Sequence, residues 1–337
     1  MKKLLITFVT MLTAYHAVAQ DPNFSQFFAS PLTLNPALTG KFNGMVRVAG
    51  NYRNQWPTIN NAFRTATASA DFGILENKTG ELDRFGAGIM GMYDMNGDGI
   101  MKSNYVSASL AYHKGIDESG YHQLSVGFSG TYAQRRVDFS KLDFEDELTS
   151  LGFTGTTTEF LGNNGLLNLR YADLNAGILY TGATNDYNSF YFGASVYHIN
   201  RPKVSFQGAD YSLQPRITVH GGGYFPAGDG ITVFLSGIHQ QQAGASETMI
   251  GGAIGIDVNS GAENLTTLYA GGWWRSRDAI VPYVGMEFRN YQLGISYDVN
   301  TSLLRTASKR RGGMEISLIY IQQHKDPNRR KMNCPRF

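Results

Sequence analysis

Residues 291–300 read YQLGISYDVN, and their alternation decides the fold. Tyr291, Leu293, Ile295, Tyr297 and Val299 share one face of an extended chain; Gln292, Gly294, Ser296, Asp298 and Asn300 share the other. Successive side chains of a strand point to opposite sides, so this period of two describes a strand about ten residues long with one apolar and one polar face. Working outward, Met314, Ile316, Leu318 and Tyr320 oppose Glu315 and Ser317. Leu124, Val126, Phe128 and Tyr132 oppose Gln123, Ser125, Ser129 and Thr131, and Leu174, Ala176, Ile178 and Tyr180 oppose Asp173, Asn175 and Thr181. The pattern predicts strands near 44–56, 62–75, 84–94, 100–114, 120–135, 171–183, 189–199, 214–225, 231–241, 246–257, 265–275, 280–289, 291–299 and 312–321. The expected class is all-β: a transmembrane antiparallel β-barrel of about fourteen strands, with apolar residues on outer-membrane lipid, polar residues on the lumen and aromatic residues near the interfaces.

The connections agree with that count. With both ends of the barrel in the periplasm, every odd connection faces outside. The longest, 136–170, 200–213 and 300–311, are the fifth, seventh and thirteenth. Even connections such as 115–119, 226–230 and the turn at Asn290 are short. Long outside and short inside is the asymmetry of bacterial barrels.

Met1-Lys2-Lys3, an apolar run from Leu4 to Ala14 and Ala17-Val18-Ala19 read as a signal peptide over 1–19, leaving Gln20 first in the mature chain. The run is too short to cross about 30 Å of hydrocarbon. Charged residues are 17%, against roughly 25% in soluble domains. Once Lys2 and Lys3 leave, 27 basic residues face 27 acidic ones, so no electrostatic footprint for nucleic acid remains. The one cysteine, Cys334, has no internal partner.

Motifs for chemistry dissolve on inspection. Gly86-Ala-Gly88-Ile-Met-Gly91 matches a dinucleotide fingerprint but lies inside an alternating strand rather than between a strand and a helix. Asp94-Met-Asn96-Gly-Asp98-Gly99 opens like a calcium loop, yet Tyr105 stands where the bidentate Glu belongs. Asn-Gly and Asp-Gly are hairpin chemistry. His113, His122, His198, His220 and His239 fall in or at the ends of strands and make no HxH or HxxxH pair. No catalytic, cofactor or metal residue is expected.

Three segments stand outside the pattern. Residues 20–43 hold Pro22, Pro31 and Pro36, which break helix and strand alike, among Phe24, Phe27, Phe28, Leu32 and Leu34, which seek burial. An extended segment tucked into the barrel satisfies both demands. Residues 137–151 place Phe139, Leu142, Phe144, Leu148 and Leu151 among Asp143, Glu145, Asp146 and Glu147. This reads as a short amphipathic helix, a docking surface or a solvated acidic loop. Residues 322–337 carry Lys325, Arg329, Arg330, Lys331 and Arg336 against Asp326, a basic periplasmic tail for a partner or anionic head groups, or simply a solvated end.

Two stretches resemble a known family. DPNFSQFFASPLTLNPALTG (21–40), with Asp21, Pro22, Phe24, Ser25, Gln26, Pro31, Leu34, Asn35, Pro36, Ala37 and Gly40, is similar to the opening of the PorP/SprF family of Bacteroidetes. YRNQWP (52–57), with Tyr52, Arg53, Gln55, Trp56 and Pro57, resembles the motif that follows it. VDFSKL (137–142), GGMEISL (312–318) and CPRF (334–337) also look like the family. Phe337 follows a basic tail instead of ending the last strand, a departure from general barrel practice. The resemblance implies a non-enzymatic outer-membrane barrel of the type IX secretion and gliding motility machinery. Its implied partners are an exported adhesin's C-terminal domain and periplasmic secretion or motor components. It brings no catalytic residues and no cofactor. The expected parts are a leader (1–19), an extended segment plugging the lumen (20–43), the barrel (44–321) and the tail (322–337). Docking through Phe139, Leu142 and Phe144 outside and Arg329, Arg330 and Lys331 inside is the expected mechanism. The alternative is a passive porin or a hydrophobic-solute transporter.

Overall fold

The structure is a computed structural model that describes residues 21–59, 63–74, 83–158, 166–185, 188–204, 211–258 and 266–323. The expected leader, 1–19, and Arg329, Arg330 and Lys331 of the expected tail lie outside the described residues.

Among the described residues fourteen strands close into one antiparallel barrel. They are β1 (Val46–Gln55), β2 (Phe63–Ile74), β3 (Arg84–Asn96), β4 (Met101–Gly115), β5 (Gln123–Asp138), β8 (Leu166–Gly182), β9 (Ser189–Tyr197), β10 (Arg216–Gly228), β11 (Ile231–Gln242), β12 (Ala245–Asp257), β13 (Thr266–Arg275), β14 (Ala279–Phe288), β15 (Tyr291–Asn300) and β16 (Arg311–Gln322). Two short strands, β6 (Leu148–Thr149) and β7 (Gly152–Phe153), form a separate hairpin between β5 and β8. The first and last barrel strands close the ring, from Val46↔Gln322 to Gln55↔Gly313. A closed ring satisfies every ladder group and leaves no edge, which hydrocarbon demands.

Each predicted strand is present. Along β15, Leu293, Ile295 and Tyr297 are exposed to the outside while Ser296, Asp298 and Asn300 are buried inside. The calcium-like stretch is a hairpin turn, with positive φ at Gly97, Asp98 and Gly99. Three details differ. Gln322, expected to open the tail, is the last residue of β16. β5 and β8 pair on past the expected rim to Asp138↔Leu166. There Leu166-Leu-Asn-Leu-Arg170 has no inward residue to bury, so the two-residue contrast fades. Finally, the lumen is not polar all round. Phe234, Ile238, Met249, Tyr269, Trp273, Val281 and Tyr283 of β11–β14 point inward and form one buried cluster with Phe27, Leu34 and Leu38. In these strands both faces are apolar, so alternation alone assigned the outer face and missed the inner one.

Candidate functional site

Residues 21–43 lie inside the barrel, and nearly all from Phe24 to Phe42 are buried. The expected extended chain is instead a series of tight turns: a 3-10 turn at Phe27–Ala29, a helical turn at Pro31–Leu34 and a second 3-10 turn at Pro36–Leu38. The prolines that forbid long helices start short ones, because the first helical position needs no N–H and favours a fixed φ. Pro31 and Pro36 hold that position, and the Asn35 side chain caps the last turn by accepting from Ala37 N at 2.9 Å.

The amino end of the segment reaches the end of the barrel that carries the long connections. Asp21 N donates to Gln242 Oε1 at 2.8 Å. Its carboxylate meets His198 Nε2 at 2.6 Å and Arg216 Nη1 at 3.4 Å. His198 Nδ1 lies 3.0 Å from Asp173 Oδ2, a second ion pair on the same ring. Burial works against the charge on both groups. The neighbours outweigh it, holding the His198 ring at a pKa of about 9 and the Asp21 carboxyl well below the usual carboxylate range.

Below this tether the two motifs, twenty-odd residues apart in sequence, meet around a buried ionic cluster. Arg53 Nη1 donates to Asn23 O at 2.5 Å, and Arg53 Nη2 pairs with Asp298 at 2.8 Å. Asp298 also pairs with Arg275 at 2.8 Å and accepts from Ser25 Oγ at 2.7 Å. The Ser25 and Gln26 N–H groups donate to the two Glu315 oxygens at 2.7 and 3.0 Å. Gln26 Nε2 donates to Ser296 Oγ at 3.1 Å, and Ser317 Oγ donates to Gln26 Oε1 at 2.6 Å. Buried charges are tolerated only when paired and bonded in this way. Beside the cluster Phe28 packs on Trp273 and Tyr283, with ring centroids 5.0 and 5.6 Å apart.

At the opposite end the segment rests on bare backbone. A Cβ at Gly127 would strike the Pro36–Ala37 peptide, one at Gly177 the Asn35 amide, and one at Gly86 the Thr39 carbonyl. Gly127 and Gly177 face each other in the β5–β8 ladder. Their glycines let the wall touch the segment. Asn35 Nδ2 donates to Ile178 O at 2.9 Å and lies 3.0 Å from His220 Nε2. Thr39 Oγ1 donates to Ser109 Oγ at 2.9 Å, and Gly40 N donates to Asp71 Oδ2 at 2.7 Å. Asp71 is in turn paired with Arg47 at 2.7 Å. Lys41 is buried against Gln123. His113 Nε2 lies 2.9 Å from Thr39 O, which can only accept. That nitrogen therefore carries the proton, and Nδ1 accepts from Ser125 Oγ at 2.7 Å. This Ser–His pair is fully buried under Thr39 and holds the segment rather than a substrate.

The residues singled out from sequence fall into distinct places. Phe24, Ser25, Gln26, Pro31, Leu34, Asn35, Pro36, Ala37 and Gly40 are buried in the lumen with Arg53, while Asp21 and Pro22 are half-buried at its mouth. Tyr52 and Pro57 are exposed; Gln55 and Trp56 are half-buried at the rim. Phe139, Leu142 and Phe144 are half-buried, and among the described residues of that connection the exposed large apolar side chains are Leu148, Leu151 and Phe153. Sequence reasoning missed the glycine cradle. Gly86 and Gly88 figured only as a discounted fingerprint, although Gly86, Gly127 and Gly177 all lie in phase with buried inward residues. Among the described residues no three His, Cys, Asp or Glu side chains are grouped to hold a metal.

A closed barrel with an outward apolar belt defines an outer-membrane protein, here one with a stretch of its own chain, 21–43, lying inside. The family model for the type IX secretion system membrane protein PorP/SprF matches residues 17–320, and the chain belongs to that family. It is therefore an outer-membrane, multi-pass component of the type IX secretion system, with partners in that system, and the family points to a secretion component rather than an enzyme. No curated protein matches it. Similar solved structures include a FadL homologue of Pseudomonas aeruginosa (9% identity, TM-score 0.47, covering 85% of this chain and 92% of that one). The Pseudomonas putida toluene transporter TodX is similar at 9% identity and TM-score 0.47, covering 86% and 92%. The KdgM porin is similar at 8% identity and TM-score 0.39, covering 81% and 98%.

Proposed function

We propose that this barrel is a non-conducting docking component: it holds an exported adhesin by its C-terminal domain at the long-connection end and meets periplasmic secretion or motor components at the other. The observation that carries this reading is the segment 21–43. It is bonded to the wall from the Asp21 tether to the Asp71 contact, and an open passive porin has no use for such a segment in its lumen. Residues 20–43 act as the plug, 44–322 as the membrane anchor and the remainder as a periplasmic tail. The exposed Leu148, Leu151 and Phe153, beside Phe139, Leu142 and Phe144, supply the apolar contact for cargo. Arg329, Arg330 and Lys331 supply the periplasmic one. Affinity purification from native outer membranes tests this. The expected result is a large exported surface protein retained with the barrel and lost when Leu148, Leu151 and Phe153 are replaced by Ser. Retention unchanged by those substitutions contradicts this docking surface. The absence of any protein partner, with steady conductance from the purified barrel, favours the porin.

A further inference from the structure

The connection between β15 and β16 carries Arg305, Lys309 and Arg310, Arg311 opens β16 directly after it, and the stretch holds no acidic residue. All four are exposed, and among the described residues none pairs with a carboxylate. Four uncompensated cations on one short stretch repel one another, so the fold must hold them together at a cost. It does so with a firm frame. Ser308 N donates to Leu304 O at 2.9 Å, Arg310 N to Arg305 O at 3.0 Å and Arg311 N to Ser308 O at 2.9 Å. Lys309 and Arg310 adopt positive φ, 52° and 62°, a conformation that bulky residues avoid. One side of the connection is pinned through Thr301 N, which donates to Asp278 O at 2.7 Å. The other is pinned by Thr58 Oγ1, which donates to Ser308 O at 3.0 Å, and by Trp56 N, which donates to Gly312 O at 2.8 Å. Asp278, which touches the connection through Thr301 and Ser302, is engaged with Asn300 and Arg275.

The height of this connection follows from its neighbours. Tyr52 and Tyr297 are exposed on the outer wall below it, while Trp56 packs edge-on against Phe63, centroids 5.4 Å apart, on the lumen side, because Phe63 pairs with Gln55 in phase with the buried Arg53 and Thr65. Trp and Tyr on the outside of a barrel mark the hydrocarbon–headgroup boundary. The cations stand just beyond that boundary, at headgroup level. Leu303, 94% exposed beside them, gives the combination of apolar anchor and basic charge that suits a lipid interface. A protein partner would be expected to bring acidic side chains and to cover Leu303 within a larger apolar patch; here it stands alone among cations.

We propose that residues 301–311 bind phosphate-bearing glycolipid headgroups of the outer leaflet, the guanidinium groups holding phosphate oxygens through paired hydrogen bonds. The proposal rests on the outer-membrane location and on this end facing outward, and is independent of the docking reading.

The test is native mass spectrometry of the detergent-solubilised full chain titrated with diphosphoryl lipid A. The comparisons are the same lipid with its phosphates removed and the variant Arg305→Gln/Lys309→Asn/Arg310→Asn/Arg311→Gln; Asn suits the positive-φ positions. A control removes two rim cations elsewhere, Lys102→Gln/Arg136→Gln. Folding is checked by heat-dependent gel mobility. Binding is expected to fall roughly a hundredfold in the quadruple variant. It should fall comparably for parent protein with dephosphorylated lipid, and stay within about twofold in the control. Should the quadruple variant misfold, Arg305→Gln/Arg311→Gln is expected to weaken binding about tenfold. Equal affinity for both lipids, equal affinity in the variant, or an equal loss in the control overturns the proposal. So does a variant that keeps lipid A but loses a co-purifying protein, which assigns the patch to a protein partner.

Discussion

Asn35 shows how one side chain fixes the interior. It caps a turn through its oxygen, donates to the β8 backbone through its nitrogen and lies against the wall where Gly177 has no side chain. Asn35→Ala removes these bonds and leaves buried groups unpaired, at a cost of about 2 kcal/mol. Gly177→Ala costs at least as much, because its Cβ occupies the site of the amide. In combination the two should cost clearly less than their sum, since removing the amide makes room for the methyl. Thermal unfolding of the double-mutant cycle checks this, and strict additivity would mean that residue 35 does not lie against residue 177.

His198 and Asp21 act at the same scale. His198 has a folded-state pKa of about 9 against an ordinary 6.5. It contributes its stability fully below about pH 6.5 and loses it as pH rises through 9. Asp21, held low, contributes above its ordinary 3.8 and loses that share in acid. The tether is therefore whole between these limits. Raising pH from 7 to 10 should destabilise the protein by on the order of 2 kcal/mol. His198→Gln should start less stable at pH 7 and show little of that fall. A parent protein with flat stability from pH 7 to 10 would contradict the pair.

Among the elements, the strands were the most legible. The fourteen follow from period-two alternation because each has one lipid and one lumen face, as the 291–300 stretch shows. Legibility fails where that contrast is lost: at 166–170, which rises above the rim, and in β11–β14, whose inner faces are apolar because Phe27 and Phe28 pack on them. The segment 21–43 was legible as buried and proline-broken, but not as a set of turns, because each proline both ends and begins a helix. Its partners were not legible at all: no local rule links Ser25 to Asp298 or Gly127 to Pro36. Ser30 Oγ and Thr67 Oγ1 stand 3.5 Å apart. Ser30→Cys/Thr67→Cys, with Cys334→Ser, should thus cross-link under mild oxidation, because the γ atoms that the two sulfurs would replace already touch. Free thiols after oxidation would place residue 30 away from β2.

For the molecule as a whole, closing the ring removes the sheet edges, but it also makes a hole about fourteen strands around, which porins of similar size leave open to water. Here residues 21–43 of the chain lie in that hole, and the proposed reading is that they close it. Side chains on most strands contribute, so the filling also braces the wall. Arg53→Ala would leave Asp298 and Glu315 with one cation fewer in a buried site, a loss of about 3–5 kcal/mol seen as a lower temperature for heat-dependent gel mobility. An unchanged temperature would show that the ionic cluster is solvated.

Single-channel recording in planar bilayers tests the filled lumen most directly. The parent protein should be electrically silent, and the variant lacking residues 21–40 should open to a steady conductance. A parent that conducts from the start, or a deletion that conducts no more than the parent, would contradict the account.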